Sequence, residues 1–160
     1  MTNHNGTTVV AEPGDREVIF TRVFDAPREL VWRAATEPTL IPKWWGPKGY
    51  TTTVEEMDVR PGGAWRYVQH GPGGGEFAFH GVYKTVDPPE RLTYTFEWEG
   101  MPGHVILETA TFEEQDGATK MTVTDEFETA GDRDEALLTG MEVGAIESGD
   151  RFAEVLKQLK

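Results

Sequence analysis

The sequence has 160 residues, with 28 acidic and 15 basic side chains and a net charge of −13 at pH 7. This length suits one domain with a substantial core, and the charge argues against nucleic acid as a partner. The absence of cysteine excludes disulfides, thiolate zinc sites and cysteine nucleophiles. No apolar run approaches the ~20 residues that span a bilayer, and the start lacks a signal-peptide pattern, so we expect a cytoplasmic protein without membrane insertion.

The first fifteen residues differ in character from the rest of the chain. Residues 1–15 are small and polar without periodicity, which predicts a flexible tail. Residues 16–160 contain no linker and no internal repeat, so we expect a single domain. Its first predicted strand covers residues 17–25, which are rich in β-branched and aromatic side chains and apolar on both faces.

Two short helices are predicted next. Pro27 occupies the favoured first position of a helix, and Leu30, Val31 and Ala34 recur at helical spacing until Pro38 interrupts the pattern. The second helix carries Ile41 and its neighbours, and the segment Trp44-Trp45-Gly46-Pro47 ends it, because glycine and proline stop regular structure.

Six strand-like runs follow, each bounded by turn residues such as Asp116-Gly117. Consecutive hairpins are the simplest arrangement of such runs. Together with the first strand they predict an α+β fold with a seven-stranded, curved antiparallel sheet. The runs are residues 50–59, 64–70, 76–86, 91–99, 104–113 and 119–128.

One long helix is predicted at the C-terminus. Asp132 and Glu135 have the spacing of a capping box, and residues 136–159 contain no proline. A helix of this length is nearly as long as the domain is wide, so it must pack across the sheet.

This helix has bulky residues at both ends and small residues in its middle. Glycine inside a helix costs roughly 0.5–1 kcal/mol relative to alanine, so a compensating role is expected. One interpretation is that the thin middle leaves a cavity for an apolar ligand; the other is that it lets a neighbouring element approach closely. The small residues are Gly140, Gly144, Ala145, Ser148 and Gly149, and Leu137, Leu138, Met141 and Phe152 are among the bulky ones.

Aromatic side chains supply the opposite wall of the predicted cavity. The chain has 5 Trp, 4 Tyr and 8 Phe, several of which alternate along predicted strands. The alternative for each of these aromatic residues is that it simply fills the core. The pattern of residues 76–86 does not decide which face points inward, since Phe79 lies on one face and His80 on the other. The predicted ligand-binding residues are Trp44, Trp45, Trp65, Tyr67, Phe79, His80, Tyr94, Phe96, Trp98, His104, Met141, Gly144, Ala145 and Ser148.

The chain shows no motif for catalysis, phosphate binding or metal binding. No histidine has a second histidine at the spacing of a metal site, so no metal and no cofactor are expected. General acid–base chemistry inside the cavity remains an alternative, although alternation also allows the carboxylates to face solvent. We assign no catalytic residue, and a binding protein is preferred to an enzyme. The polar residues that could reach the cavity are His80, Glu97, His104, Glu108 and Glu142.

A series of short motifs resembles a known family over about residues 16–160. The element order resembles the helix-grip fold of the START-like SRPBCC superfamily, and the motifs are similar to its branch named for the activator of heat shock protein 90 ATPase. The motifs are Asp25-Ala26-Pro27, Trp44-Trp45-Gly46-Pro47, Pro61-Gly62-Gly63, Phe79-His80-Gly81-Val82-Tyr83 and Pro88-Pro89-Glu90-Arg91-Leu92.

The resemblance implies a helix-grip fold with a cavity for a small molecule, and it leaves three functions open. The first is binding of a hydrophobic or aromatic compound that is lipid-, polyketide- or flavonoid-like, by a monomer or weak homodimer. The second is a cyclase, aromatase or hydrolase that uses His80 or His104 with a cavity carboxylate. The third, suggested by the family name alone, is a co-chaperone that stimulates the heat shock protein 90 ATPase.

Overall fold

The computed structural model describes residues 2–4 and 6–160 and has an α+β fold. Its elements follow the predicted order of a strand, two short helices, a meander and a helical C-terminus. They are β1 (Thr2–His4), β2 (Thr7–Val10), β3 (Glu17–Phe24), α1 (Arg28–Thr36), α2 (Ile41–Trp44), β4 (Thr51–Met57), β5 (Ala64–His70), β6 (Glu76–Asp87), β7 (Arg91–Trp98), β8 (Ile106–Gln115), β9 (Ala118–Glu126), α3 (Ala130–Leu138) and α4 (Met141–Leu159).

All strands of the described residues join one nine-stranded sheet in the order β1-β2-β3-β9-β8-β7-β6-β5-β4. Every neighbouring pair is antiparallel, and β4 to β9 form the predicted meander. The meander brings β9 back beside β3, as the helix-grip arrangement requires. The antiparallel sheet and the α+β class are therefore confirmed, whereas the predicted number of seven strands is too low.

The additional strands come from the segment predicted as a tail. Thr7 to Val10 pairs with β3, with Thr7 opposite Arg22 and Val10 opposite Ile19, and Val9 is only 4% exposed. The predicted flexible tail over residues 1–15 is thus wrong for β2, while residues 1 and 5 lie outside the described residues. The four residues of β2 are all β-branched, which favours a strand once β3 offers a free edge, but the run is too short to show alternation.

The predicted long C-terminal helix is divided into two. Gly140 adopts a left-handed conformation with φ of 97°, which ends α3 and starts α4. Helix α3 also begins earlier than the predicted cap, because the Thr129 hydroxyl accepts a hydrogen bond from the Asp132 amide at 3.0 Å. Leu138, one of the bulky residues of the predicted helix, lies at the end of α3 and is 88% exposed.

Two hydrophobic clusters hold α4 against the sheet, one near each end of the helix. Phe152 packs on Phe24 and Trp44, with ring centroids 5.0 and 4.8 Å apart, in the cluster that also buries α1 and α2. Met141 packs on the second cluster, which contains Phe20. The central part of α4 lies between these two attachments, above the concave face of the sheet.

Candidate ligand-binding site

A cavity of about 410 Å³ lies between the central part of α4 and the concave face of the sheet. Its walls come from β2, β3, β5 to β9, the C-terminal end of α1, α2 with residues 45–47 that follow it, and the residues of α4 from Met141 to Phe152. This volume falls within the range of roughly 300–1,000 Å³ that is typical of small-molecule sites.

The small residues of α4 play two different roles along the roof of the cavity. A Cβ atom added at Gly144 would have nothing within 4 Å, so the cavity is open at this point. A Cβ at Gly149 would lie 3.1 Å from Nη1 of Arg22, so here the helix and β3 approach closely. Ser148 donates a hydrogen bond to the Trp44 carbonyl at 3.0 Å, which ties the roof to α2. Both interpretations of the small residues therefore apply, at different positions.

Aromatic rings from three strands and from the segment after α2 form one side of the cavity. Trp45 contacts Tyr67 and Phe79 edge-on, with centroids 5.1 and 5.3 Å apart, and Phe96 lies 6.2 Å away. Trp65 extends the same cluster, with its centroid 5.7 Å from that of Phe96. Edge-on packing of this kind adds to the stabilisation from buried apolar area and keeps the rings in place.

Gly81 makes the close packing of this aromatic side possible. Trp65 Nε1 donates to the Thr95 carbonyl at 3.1 Å across the strand that carries Gly81. A Cβ at Gly81 would collide with that carbonyl and would lie 2.5 Å from Trp65 Nε1. The sequence left open which face of β6 points inward. Phe79 and Tyr83 line the cavity and His80 does not, so the face with Phe79 is the inward one.

Polar groups cross the floor of the cavity in one row. Tyr83, Tyr94, Glu108 and Asp125 are directly paired on the adjacent strands β6, β7, β8 and β9, and all four line the cavity. The Tyr94 hydroxyl donates a hydrogen bond to Oε1 of Glu108. Burial, with a further contribution from Glu108, raises the pKa of Tyr94 well above 10.0.

Glu108 and Asp125 form a pair of adjacent carboxyl groups in this row. Asp125 is only 7% exposed, and burial raises its pKa well above 3.8, with a further rise from the neighbouring Glu108. Sequence reasoning included Glu108 among the residues that could reach the cavity but missed Asp125. The signal was present in β9, where Met121, Val123 and Asp125 share one face by alternation.

Two further polar side chains lie in the wall. Arg22 bridges to Asp150 on α4, with Nη1 2.7 Å from Oδ1, and its guanidinium lies 5.3 Å from the ring centre of Phe24. Gln69 is 5% exposed, and its Nε2 finds no hydrogen-bond partner within residues 2–4 and 6–160. Both contrast with the apolar rings around them and can orient a ligand.

The structure places most of the predicted ligand-binding residues in the cavity wall. Their role in binding stays a prediction, but their convergence on one space is a geometric fact. The lining residues are Trp44, Trp45, Trp65, Tyr67, Phe79, Tyr94, Phe96, Met141, Gly144, Ala145 and Ser148.

Three of the predicted residues, His80, Trp98 and His104, do not line the cavity. His80 Nδ1 lies 2.9 Å from Glu99, which also bonds to Arg66, in a network of charged side chains. The alternation of β6 that directs Phe79 inward necessarily directs His80 to the other face.

His104 and Trp98 are placed by the segment that joins β7 to β8. His104 Nδ1 lies 3.0 Å from Asp132 of α3, and that interaction raises the pKa of His104 above 6.5. Trp98 is 38% exposed and packs against Gly100. An enzyme that uses His80 or His104 as its base is therefore not supported, because neither imidazole reaches the cavity.

Metal and membrane sites were also sought in the described part of the chain. No three His, Asp or Glu side chains converge there to hold a metal ion. None of the helices in those residues combines the length and apolarity needed to cross a membrane.

A curved antiparallel sheet that encloses a cavity beneath a C-terminal helix defines the helix-grip class. The sequence model of the family described as Activator of Hsp90 ATPase homolog 1-like protein matches residues 25–157. The chain therefore belongs to this family, within the SRPBCC superfamily. A search of functionally curated proteins found no match.

Solved structures of bacterial proteins share this fold. A protein from Arthrobacter aurescens is similar with a TM-score of 0.88 and 25% identity, covering 94% of this chain and 91% of that one. A protein from Rhodobacter sphaeroides gives a TM-score of 0.87 and 25% identity, covering 96% and 99%. A protein from Mycobacterium smegmatis gives 0.78 and 28%, covering 96% of both chains.

Proposed function

We propose that this protein binds a hydrophobic or aromatic small molecule, such as a lipid, polyketide or flavonoid-like compound, in the cavity between the sheet and α4. The observation that carries the proposal is the open space under Gly144, where a Cβ atom would have nothing within 4 Å. A folded core normally fills such a space with its own side chains. Here the helix instead keeps a glycine that costs roughly 0.5–1 kcal/mol relative to alanine.

The composition of the wall favours an aromatic or otherwise apolar guest. One side of the cavity is formed by five aromatic rings that pack against one another without a ligand. They belong to Trp45, Trp65, Tyr67, Phe79 and Phe96. A preformed wall lowers the ordering cost of binding. Each Å² of apolar ligand surface removed from water then contributes roughly 25 cal/mol.

The test fills the cavity from its roof. The Gly144→Phe variant places a ring in the open space, and Val143→Phe places the same ring on the exposed side of the same helix, where Val143 is 61% exposed. The probes are naringenin, naphthalene and palmitate, with thermal stability and calorimetry as readouts. A ligand at a hundredfold excess over its Kd stabilises the folded state by about 2.7 kcal/mol.

We expect at least one probe to stabilise the wild type and Val143→Phe equally, and to lose more than tenfold in affinity for Gly144→Phe. Equal binding to both variants would locate the ligand outside the cavity. No thermal shift with any of the probes would contradict the proposed function.

A further inference from the structure

The carboxyl pair on the cavity floor has an unusual position for two acidic groups. Glu108 on β8 and Asp125 on β9 are directly opposite each other in the ladder, and both line the cavity. Asp125 is 7% exposed, and its buried Oδ1 accepts a hydrogen bond from no donor in the described part of the chain. Such an atom normally has a protein or water partner, so its isolation indicates a group that awaits one.

Burial and electrostatic repulsion both act on this pair. A negative charge on Asp125 is unfavourable in a buried site beside a second carboxyl group. Burial, with a further contribution from Glu108, therefore raises the pKa of Asp125 well above 3.8. The pair presents four oxygens to few hydrogen-bond donors, of which the Tyr94 hydroxyl, bonded to Glu108, is one.

The other charges of the cavity wall do not supply the missing donors. Arg22 is the cationic side chain in the wall, and its Nη1 is bonded to Asp150 Oδ1 at 2.7 Å. The net charge of −13 further disfavours an anionic ligand. The carboxyl oxygens on the floor therefore lack a hydrogen-bond donor. A ligand with an apolar or aromatic body and one donor group would supply it.

We propose that Glu108 and Asp125, with Tyr94 as a positioning residue, form a specificity site that accepts a hydrogen bond from a hydroxyl or N–H group on an aromatic ligand. The inference rests on the proposed function and adds to it the polar group by which the ligand is selected. Sites built to hydrogen-bond a ligand hydroxyl discriminate strongly against an analogue that lacks it, because their own polar atoms are left unpaired.

The first experiment compares matched probes on the wild-type protein. Calorimetry measures the Kd of 2-naphthol against those of naphthalene and 2-methoxynaphthalene, and the Kd of indole against that of 1-methylindole. Naphthalene lacks the hydroxyl group of 2-naphthol, and 2-methoxynaphthalene replaces its hydrogen by a methyl group. In the same way, 1-methylindole replaces the N–H hydrogen of indole by a methyl group. We expect each donor-bearing probe to bind about tenfold more tightly than its analogues.

The second experiment removes the acceptors. The double variant Glu108→Leu/Asp125→Leu eliminates all four carboxyl oxygens, and the ratio of Kd values within each set should fall to about one. Glu113→Leu is the matched control, because Glu113 lies on the same strand and is exposed. It should keep the wild-type ratio. If the double variant does not fold, Asp125→Leu alone serves instead; it removes the unpaired Oδ1 and should reduce the ratio at least threefold.

The outcomes separate this inference from the proposed function. If neither these five probes nor naringenin or palmitate binds the wild type, the proposed function itself fails. If palmitate alone binds, the cavity takes no aromatic compound and the inference alone is overturned. If all bind but donors and analogues are equal, the cavity binds aromatic compounds without this site, and the inference alone is overturned. It is also overturned if the donor preference persists in the folded double variant.

Discussion

The guanidinium group of Arg22 lies against Gly149, so that a Cβ atom at this position would sit 3.1 Å from Nη1. Arg22 projects from β3 and forms an ion pair with Asp150, the residue that follows Gly149 in α4. The helix can approach β3 closely only because residue 149 has no side chain. Five residues earlier, Gly144 faces the open cavity, so two glycines of one helix meet opposite surroundings.

This difference predicts that a glycine-to-alanine substitution changes the free energy of unfolding differently at the two positions. Gly144→Ala should raise the free energy of unfolding by about 0.5–1 kcal/mol, because it removes the helical cost of glycine without a steric conflict. Gly149→Ala should gain less or lose stability, since the new methyl group pushes Arg22 away from Asp150. Urea unfolding of both variants measures the difference, and a larger gain for Gly149→Ala would contradict it.

Gly81 should tolerate no side chain. Its Cβ would collide with the Thr95 carbonyl and press on the Trp65 indole, both of which belong to the packed sheet. Overpacking against the backbone in a core costs about 1–3 kcal/mol or more. We expect Gly81→Ala to lower the free energy of unfolding by at least about 2 kcal/mol. Gly73→Ala is the control, because a Cβ at Gly73 meets nothing within 4 Å and should leave stability nearly unchanged.

Asp125 gives the protein a stability term that declines as pH rises. Its pKa in the folded state lies well above 3.8, so the folded state binds a proton more tightly than the unfolded state does. The contribution of Asp125 is complete below its unfolded pKa and is lost as pH rises towards the folded value. Asp125→Asn removes this loss, so the stability of the variant relative to the wild type should increase from about pH 4 to pH 7.

The measurement for Asp125 is urea unfolding at pH values across that window. Asp116→Asn, in the turn between β8 and β9, changes the same functional group at an exposed position and tolerates the left-handed backbone there. It should show no comparable trend. If the stability of Asp125→Asn relative to the wild type fell with rising pH, the raised pKa of Asp125 would be contradicted.

His104, on the surface of the protein, should also contribute stability that is lost as pH rises, but at higher pH than Asp125. Its hydrogen bond with Asp132 raises its pKa above 6.5, so its contribution is complete below that value and is lost as pH rises through the raised value. His104→Gln should therefore reduce the fall in thermal stability between about pH 6 and pH 8. Asp132→Asn should have the same effect, and an unchanged pH profile in both variants would show that the contact is not populated.

Much of the fold follows from the alternation of side chains along the strands. Tyr94 and Phe96 share a face by simple period-two spacing, and the structure places both in the cavity wall. Alternation did not predict which face of β6 points inward. Phe79 and His80 are neighbours with opposite orientations, and either could face the core of a half-buried strand. The deciding contact lies on another strand, where Trp65 packs over Gly81.

Other features depend on backbone conformation or on the exact register of a hairpin. The glycine at position 140 resembles those of the α4 interior in sequence, but its φ of 97° makes it the boundary between α3 and α4. The turn at Asp116-Gly117 predicts that β8 and β9 are neighbours, but Glu108 meets Asp125 only in the register that pairs Gln115 with Ala118. Strand β2 has only four residues, which are too few for alternation to predict its pairing with β3.

The first hairpin has a practical consequence for anyone who prepares this protein. Thr7 belongs to the cavity wall and Val9 to a buried cluster, so removing residues 1–10 as a dispensable extension would open one side of the cavity. A purification tag is better attached after Lys160, whose ammonium pairs with the exposed carboxylate of Asp25 and which does not line the cavity.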